Sequence, residues 1–182
     1  PSPYDPDFLE MRSAMFSNEK YKDLSITTPE NSRTFKFHSL LLNDLELKTL
    51  AEFLENIEEI SLPKEIPSKF MPEILNYFYF REIKNIGLVE IFEFLKIVRF
   101  FHLEKLQEEI LSFIGQIPKT KDKDLLVFLL LGMLKYRYIL EIQEPFREII
   151  EEIIIFFKET AFEQFLNILN GVIVNIFVKK AV

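Results

Sequence analysis

The chain has two histidines, His38 and His102, and no cysteine, so its stock of nucleophiles and bases is small. His38 is followed directly by Ser39. Neighbours at a strand-to-helix junction point apart more readily than they pair, so His38 reads as a satisfied structural histidine, not a general base. There is no Gly-x-Ser-x-Gly elbow to expose a serine. The adjacent carboxylates Glu58-Glu59, Glu108-Glu109 and Glu151-Glu152 splay by about 100° on a helix and read as solvated faces, not as metal ligands. The glycines Gly87, Gly115, Gly132 and Gly171 never cluster, which excludes a phosphate-cradling loop. Lys119, Lys121 and Lys123 alternate near Asp122 and Asp124, so this lysine alternation is neutralised within itself. Catalytic, cofactor-binding and metal-ligating residues are therefore expected to be absent. A small hydrolase using Asp/Glu acid–base chemistry is the remaining enzymatic reading, and no convergent polar residues favour it.

Any site on this chain must be held by bulky helices. Of 182 residues 48% are hydrophobic, with 20 Phe against 4 Gly, enough to bury a sizeable core as one large or two small domains. A net charge of −7 argues against a nucleic-acid face. The absence of Cys is compatible with a reducing compartment, cytoplasmic or nuclear. The opening Pro1-Ser2-Pro3-Tyr4-Asp5 lacks Lys, Arg and an initiator Met, as expected of a fragment or processed chain without a signal peptide. The longest apolar run, Leu125 to Leu134, is short of the roughly 20 residues a bilayer span requires, so no membrane partner is expected.

In chain order, residues 1–7 form an irregular, proline-rich lead-in, and Phe8 to Phe16 a short amphipathic helix. Leu24–Thr28 and Arg33–Phe37 alternate as the strands of a hairpin across Pro29-Glu30-Asn31-Ser32. A helix over Glu46–Asn56 carries an apolar stripe at Leu47, Leu50, Leu54 and Ile57, with Phe53 roughly 80° off its centre. Ile60–Leu62 is a short strand. Ser68 is placed to cap a helix with Pro72 in its first turn and Phe70, Ile74, Tyr77 and Phe78 on one face. Ile83–Ile86 is a candidate strand. Leu88–Phe101 is apolar nearly all round, with Glu90, Glu93, Lys96 and Arg99 as its one polar line. Leu103, Leu106, Ile110, Phe113 and Ile114 mark the next helix. After the polar stretch 115–124 everything reads helical. Asp124 caps a helix to Tyr138, and Phe146 to Phe157 forms a regular stripe. Thr160-Ala161-Phe162-Glu163 makes a capping box, with an apolar end over Val172–Val178.

Three segments in this order, Tyr21-Lys22-Asp23-Leu24-Ser25-Ile26, Phe35-Lys36-Phe37-His38 leading into Ser39-Leu40-Leu41-Leu42, and Phe70 through Tyr79, resemble a BTB/POZ domain. The helical region after it resembles the BACK region of BTB adaptors. The resemblance implies an α+β fold: a BTB/POZ domain, a small sheet flanked by helices, followed by an all-helical BACK-like region. The implied division is 1–20 for a lead-in and dimerisation helix, 21–115 for the BTB/POZ domain and 116–182 for the BACK-like region.

In that family the first helix packs across a two-fold axis, so the resemblance implies a homodimer interface at Phe8, Leu9, Met11, Met15 and Phe16, with Asp23 and His38 close by. The alternative is a helix folded onto its own domain. Many such adaptors recruit cullin-3 through a hydrophobic-x-Glu triplet, which falls here on Phe53-Leu54-Glu55. Leu50-Ala51-Glu52 also fits, and Phe53 could equally be the rim of the core. Glu46 and Thr49 stand where Ser-x-x-Phe is usual, and Arg81 where a turn glycine is typical. The implied function is a protein–protein interaction adaptor bridging cullin-3 to a substrate protein. The alternative is a BTB scaffold that dimerises or docks within a larger assembly without cullin.

Overall fold

The computed structural model describes residues 6–29, 32–117 and 122–135, together with Glu151, Ile155 and Lys158. These residues form a mixed α+β fold of one three-stranded sheet and six α-helices. The chain divides into two compact units, Pro1–Gln107 and Glu108–Val182.

The first unit begins with α1 (Pro6–Ser17) and a 3-10 turn at Glu19–Tyr21, capped by the Asn18 side chain, which accepts from the Lys20 N–H. Strands β1 (Leu24–Thr28) and β2 (Arg33–Phe37) pair antiparallel, Leu24 opposite Phe37 and Ile26 opposite Phe35. Their bounds are those the alternation predicts. Leu24, Ile26 and Thr28 turn inward, and Phe37 is buried while Lys36 is exposed. Strand β3 (Glu59–Ser61) adds parallel to β1, one residue earlier than expected, giving the order β2-β1-β3.

Three expectations in the first unit need correction. The helix expected over Glu46–Asn56 is shorter: a 3-10 turn at Leu45–Leu47 leads into α2 (Lys48–Phe53), and the chain leaves it at Leu54 and takes φ 64° at Asn56. Ile57 is thereby lost from the stripe and stands 37% exposed. Ser68 does not cap the next helix. It lies inside a 3-10 turn, Ser68–Phe70, that leads into α3 (Met71–Phe80), whose N-terminus has no side-chain cap and keeps Pro72 in its first turn. The segment Ile83–Ile86 is not a strand, because Glu73 of α3 captures its polar groups and Asn76 holds the residue before it. Glu73 Oε2 accepts from the Lys84 N–H at 3.1 Å, Glu73 Oε1 from Asn85 Nδ2 at 2.9 Å, and Asn76 Nδ2 donates to the Glu82 carbonyl at 2.7 Å.

Helix α4 (Ile91–Phe100) is enclosed as its composition implies: Ile91, Phe92, Phe94, Leu95, Ile97 and Val98 are buried, while Glu93, Lys96 and Arg99 form a half-exposed line. Aromatic rings join the layers, Phe37 to Phe78 at 5.3 Å between centroids, Phe78 to Phe101 at 5.8 Å and Phe70 to Phe94 at 5.4 Å. Helix α5 (Glu104–Gln116) contains the division between the units. In the second unit Ile110 and Ile114 are buried but Phe113 is 54% exposed, off the inward face. Helix α6 (Lys123–Lys135) is capped by Asp122, not Asp124: Asp122 Oδ1 accepts from the N–H groups of Asp124 and Leu125 at 3.0 and 3.1 Å. The Phe146–Phe157 stripe, the capping box at Thr160 and the apolar end at Val172–Val178 lie outside the described residues, apart from Glu151 and Ile155.

Candidate functional site: the first-helix corner and its charged support

Strand β2 delivers His38 to the mouth of a 3-10 turn, Ser39–Asn43, in extended conformation. Its side chain turns inward and is 4% exposed. Nδ1 meets the Tyr79 hydroxyl at 2.5 Å, and that oxygen also accepts from the His38 backbone N–H at 3.3 Å. Burial pushes the Tyr79 phenol up to about 12. Ser39 bonds the other way: its N–H and hydroxyl donate to the Asp23 carboxylate at 2.7 and 2.5 Å. Burial raises the pKa of Asp23, but the two Ser39 bonds outweigh it and hold the carboxyl below its usual 3.8. His38 and Ser39 therefore bond to different partners, and their side chains form no nucleophile–base pair. Asp23 itself is exposed.

Helix α1 lies against α3 of its own domain. Phe8 and Arg12 are buried, and Leu9 and Met15 half-buried. Phe16, though 42% exposed, sets its ring 5.0 Å from Tyr79 and 5.7 Å from Phe80. Met11 is 57% exposed. Of the helix residues assigned to an interface, then, Phe8 is spent on the interior and Met11 is presented outward. Beside them opens a cleft of about 540 Å³ lined by Met15, Asn18, Lys20, Tyr21, Lys22, Asp23, His38, Ser39 and Leu40. Tyr21 and Leu40 on its wall are 62% and 65% exposed.

A charged network, not anticipated as a unit, supports this corner. Asp44 Oδ2 lies 3.3 Å from Arg12 Nη2 on α1 and 2.7 Å from Arg81 Nη2 at the end of α3. Arg81 Nε in turn lies 3.3 Å from Glu46 Oε2, and Glu46 pairs with Lys105 of α5. Arg81 takes the left-handed conformation, φ 59°, at the C-terminus of α3. Its N–H donates to the Tyr77 carbonyl at 3.0 Å, and its Nη1 donates to the carbonyls of Tyr77 and Phe78. An arginine thus does the work of a terminal glycine, closing the last turn with its own side chain. Burial raises Asp44, but the Glu46 N–H, Arg81 and Arg12 together hold it below 3.8. Burial and the neighbouring Arg81 lower Arg12, against the pull of Asp44. Arg12, Asp44 and Arg81 are far apart in sequence. The only signals in the sequence are Glu46 and Arg81, as departures from the pattern of the family the chain resembles.

The triplet proposed for cullin-3 is divided among three environments. Phe53 is half-buried, its ring 5.9 Å from Phe100 and 5.0 Å from His102; Leu54 is buried; Glu55 is exposed just beyond the end of α2. Glu55 lines a second cleft of about 380 Å³ with Leu42, Asn43, Asp44, Leu45, Lys48, Ala51 and Glu52. Among the described residues no group of three or more His, Asp or Glu side chains could hold a metal ion, and no helix is long and apolar enough to cross a membrane. The chain matches no protein-family model and no curated protein.

Proposed function

We propose that this chain is a non-catalytic protein–protein interaction adaptor of the BTB/POZ kind, followed by a BACK-like region, acting inside the cell as a homodimer. The observation that carries the reading is the α1 corner. Tyr21 and Leu40 stand more than half exposed on the wall of a cleft that Asp23, His38 and Ser39 also line, and Met11 is more than half exposed on α1. Large apolar side chains on a rigid support are what a partner protein covers. The sheet flanked by helices supports the family reading at the level of the α+β class.

Bridging of cullin-3 to a substrate protein is the finer part of the proposal, supported by the exposed Glu55 on the wall of a cleft that Leu42, Leu45 and Ala51 also line. Adding the purified N-terminal region of cullin-3 tests it. Binding that is lost in Glu55→Ala supports the bridge. Binding that survives both Phe53→Ala and Glu55→Ala removes the triplet, and no binding at all leaves the scaffold reading, a dimer within a larger assembly.

A further inference from the structure

The sheet has two edges, and they differ. Strand β1 donates its Ser25 N–H to the Glu58 carbonyl at 3.0 Å, and its Thr27 carbonyl accepts from the Leu62 N–H at 2.8 Å. Main-chain groups alternate sides along a strand, so Leu24, Ile26 and Thr28 turn theirs to β2. Across that ladder they meet Phe37, Phe35 and Arg33. Consistently, the Arg33 carbonyl faces β1 and accepts from the Thr28 hydroxyl at 3.0 Å. The N–H and C=O groups of Thr34 and Lys36 therefore point away from the sheet, and among the described residues nothing bonds to them. On the other edge β3 is three residues long, against five for β2. The β1–β2 register runs without a bulge and β2 contains no proline, so neither of these devices closes its edge.

We propose that the open edge of β2 receives an extended acidic segment of a partner protein, which joins the sheet antiparallel to β2. The inference goes beyond the adaptor reading and needs neither the α1 corner nor the cleft beside α2. The main chain supplies affinity: a strand in register exchanges hydrogen bonds with both Thr34 and Lys36. Side chains supply the preference. Lys36 is exposed on the outer face opposite Ser25, and among the described residues no carboxylate pairs with it. An Asp or Glu set opposite it on an added strand lies about 5 Å away between Cβ atoms. On the inner face Phe35, in register with Ile26, is only half-buried, so an apolar neighbour on the added strand completes its cover. The favoured segment thus alternates acidic and apolar residues. Two β2 edges meeting across a two-fold axis would bring the Lys36 ammonium groups of both copies near one another, so a second copy is disfavoured.

The test selects random peptides displayed on phage against the whole chain, then measures affinity and amide hydrogen exchange with synthesised winners. The expected winners alternate Asp or Glu with apolar residues. In the free chain the Thr34 and Lys36 amides exchange fast and the Phe35 amide slowly. Bound peptide slows the first two at least about tenfold. Methylating the peptide amides one at a time weakens binding at alternate positions only, because every second N–H faces β2. Thr34→Pro removes an outward donor, spares the ladder to β1 and weakens binding at least about tenfold. Lys36→Glu keeps the main chain intact and weakens binding about threefold to tenfold. If Thr34→Pro lowers thermal stability, the methylation pattern, read on the wild-type chain, decides. No enrichment, winners without acidic residues, uniform or absent sensitivity to methylation, or unchanged exchange at Thr34 and Lys36 overturns the proposal. So does a wild-type chain that assembles beyond a dimer and ceases to in Lys36→Glu, because the edge then belongs to a second copy.

Discussion

Arg81 Nη2 stands 2.7 Å from Asp44 Oδ2, joining the end of α3 to the turn that precedes α2. Arg12 reaches the same oxygen from α1, so one carboxylate ties together three elements that are far apart in the chain. The Arg81 side chain is 4% exposed and Arg12 11%, so water does little to screen the attraction. This carboxylate therefore helps hold α1 on the domain, beside the packing of Phe8 and Phe16.

Asp44→Ala leaves two buried guanidinium groups facing one fewer anion and is expected to destabilise the first unit by on the order of 3 kcal/mol. Chemical denaturation followed by circular dichroism measures it. In a double-mutant cycle with Arg12→Ala the losses are expected to be smaller together than summed, since each change removes the same pair.

The acid side of the same pair has a definite sign. Asp44 is held below 3.8 in the folded chain, so its contribution is fully present above that value and is lost as pH falls through the lower folded value. Stability measured between neutral pH and pH about 3 should fall less steeply in Asp44→Asn than in the wild type. Equal slopes would remove the assigned role.

Arg81 separates backbone strain from side-chain pairing. Both Arg81→Gly and Arg81→Ala lose the network and are expected to be less stable than the wild type. Because φ is 59°, the glycine variant should exceed the alanine variant by about 1 kcal/mol. An alanine variant as stable as the glycine one contradicts the left-handed geometry.

Much of this fold is legible in the sequence where one local pattern decides the outcome. Phe35 and Phe37 alternating with Thr34 and Lys36 marked β2 to the residue, and the three-residue spacing of Glu93, Lys96 and Arg99 marked the single open line of α4. Legibility ends where a distant side chain competes. The apolar stripe continued through Ile57, but α2 ends at Phe53 and the chain then turns at Asn56. Ile83–Ile86 had strand composition, but Glu73 took its polar groups. Tyr79, off the expected face of α3, is buried because His38 and Phe16 come to it. Glu46 and Arg81 looked like two separate irregularities, and their 3.3 Å contact makes them one feature.

Tyr79→Phe removes the hydroxyl that accepts from the His38 N–H and meets Nδ1, leaving buried polar groups unpaired. A loss of about 1–3 kcal/mol is expected. The phenol is held protonated up to about 12 in the folded chain against 10.0 ordinarily, so its contribution is present below pH 10 and declines as pH rises toward 12. The wild type should show that alkaline decline in stability, and Tyr79→Phe should lack it.

The most direct test of the interaction reading is the mass of the chain in solution, measured by light scattering at micromolar concentration for the wild type and for Met11→Glu. Met11 is exposed, so a charge there is expected to leave the fold intact while spoiling any apolar contact made across α1. The account predicts twice the chain mass for the wild type and a shift to a single chain for the variant. A monomeric wild type, or a variant that stays dimeric, contradicts it.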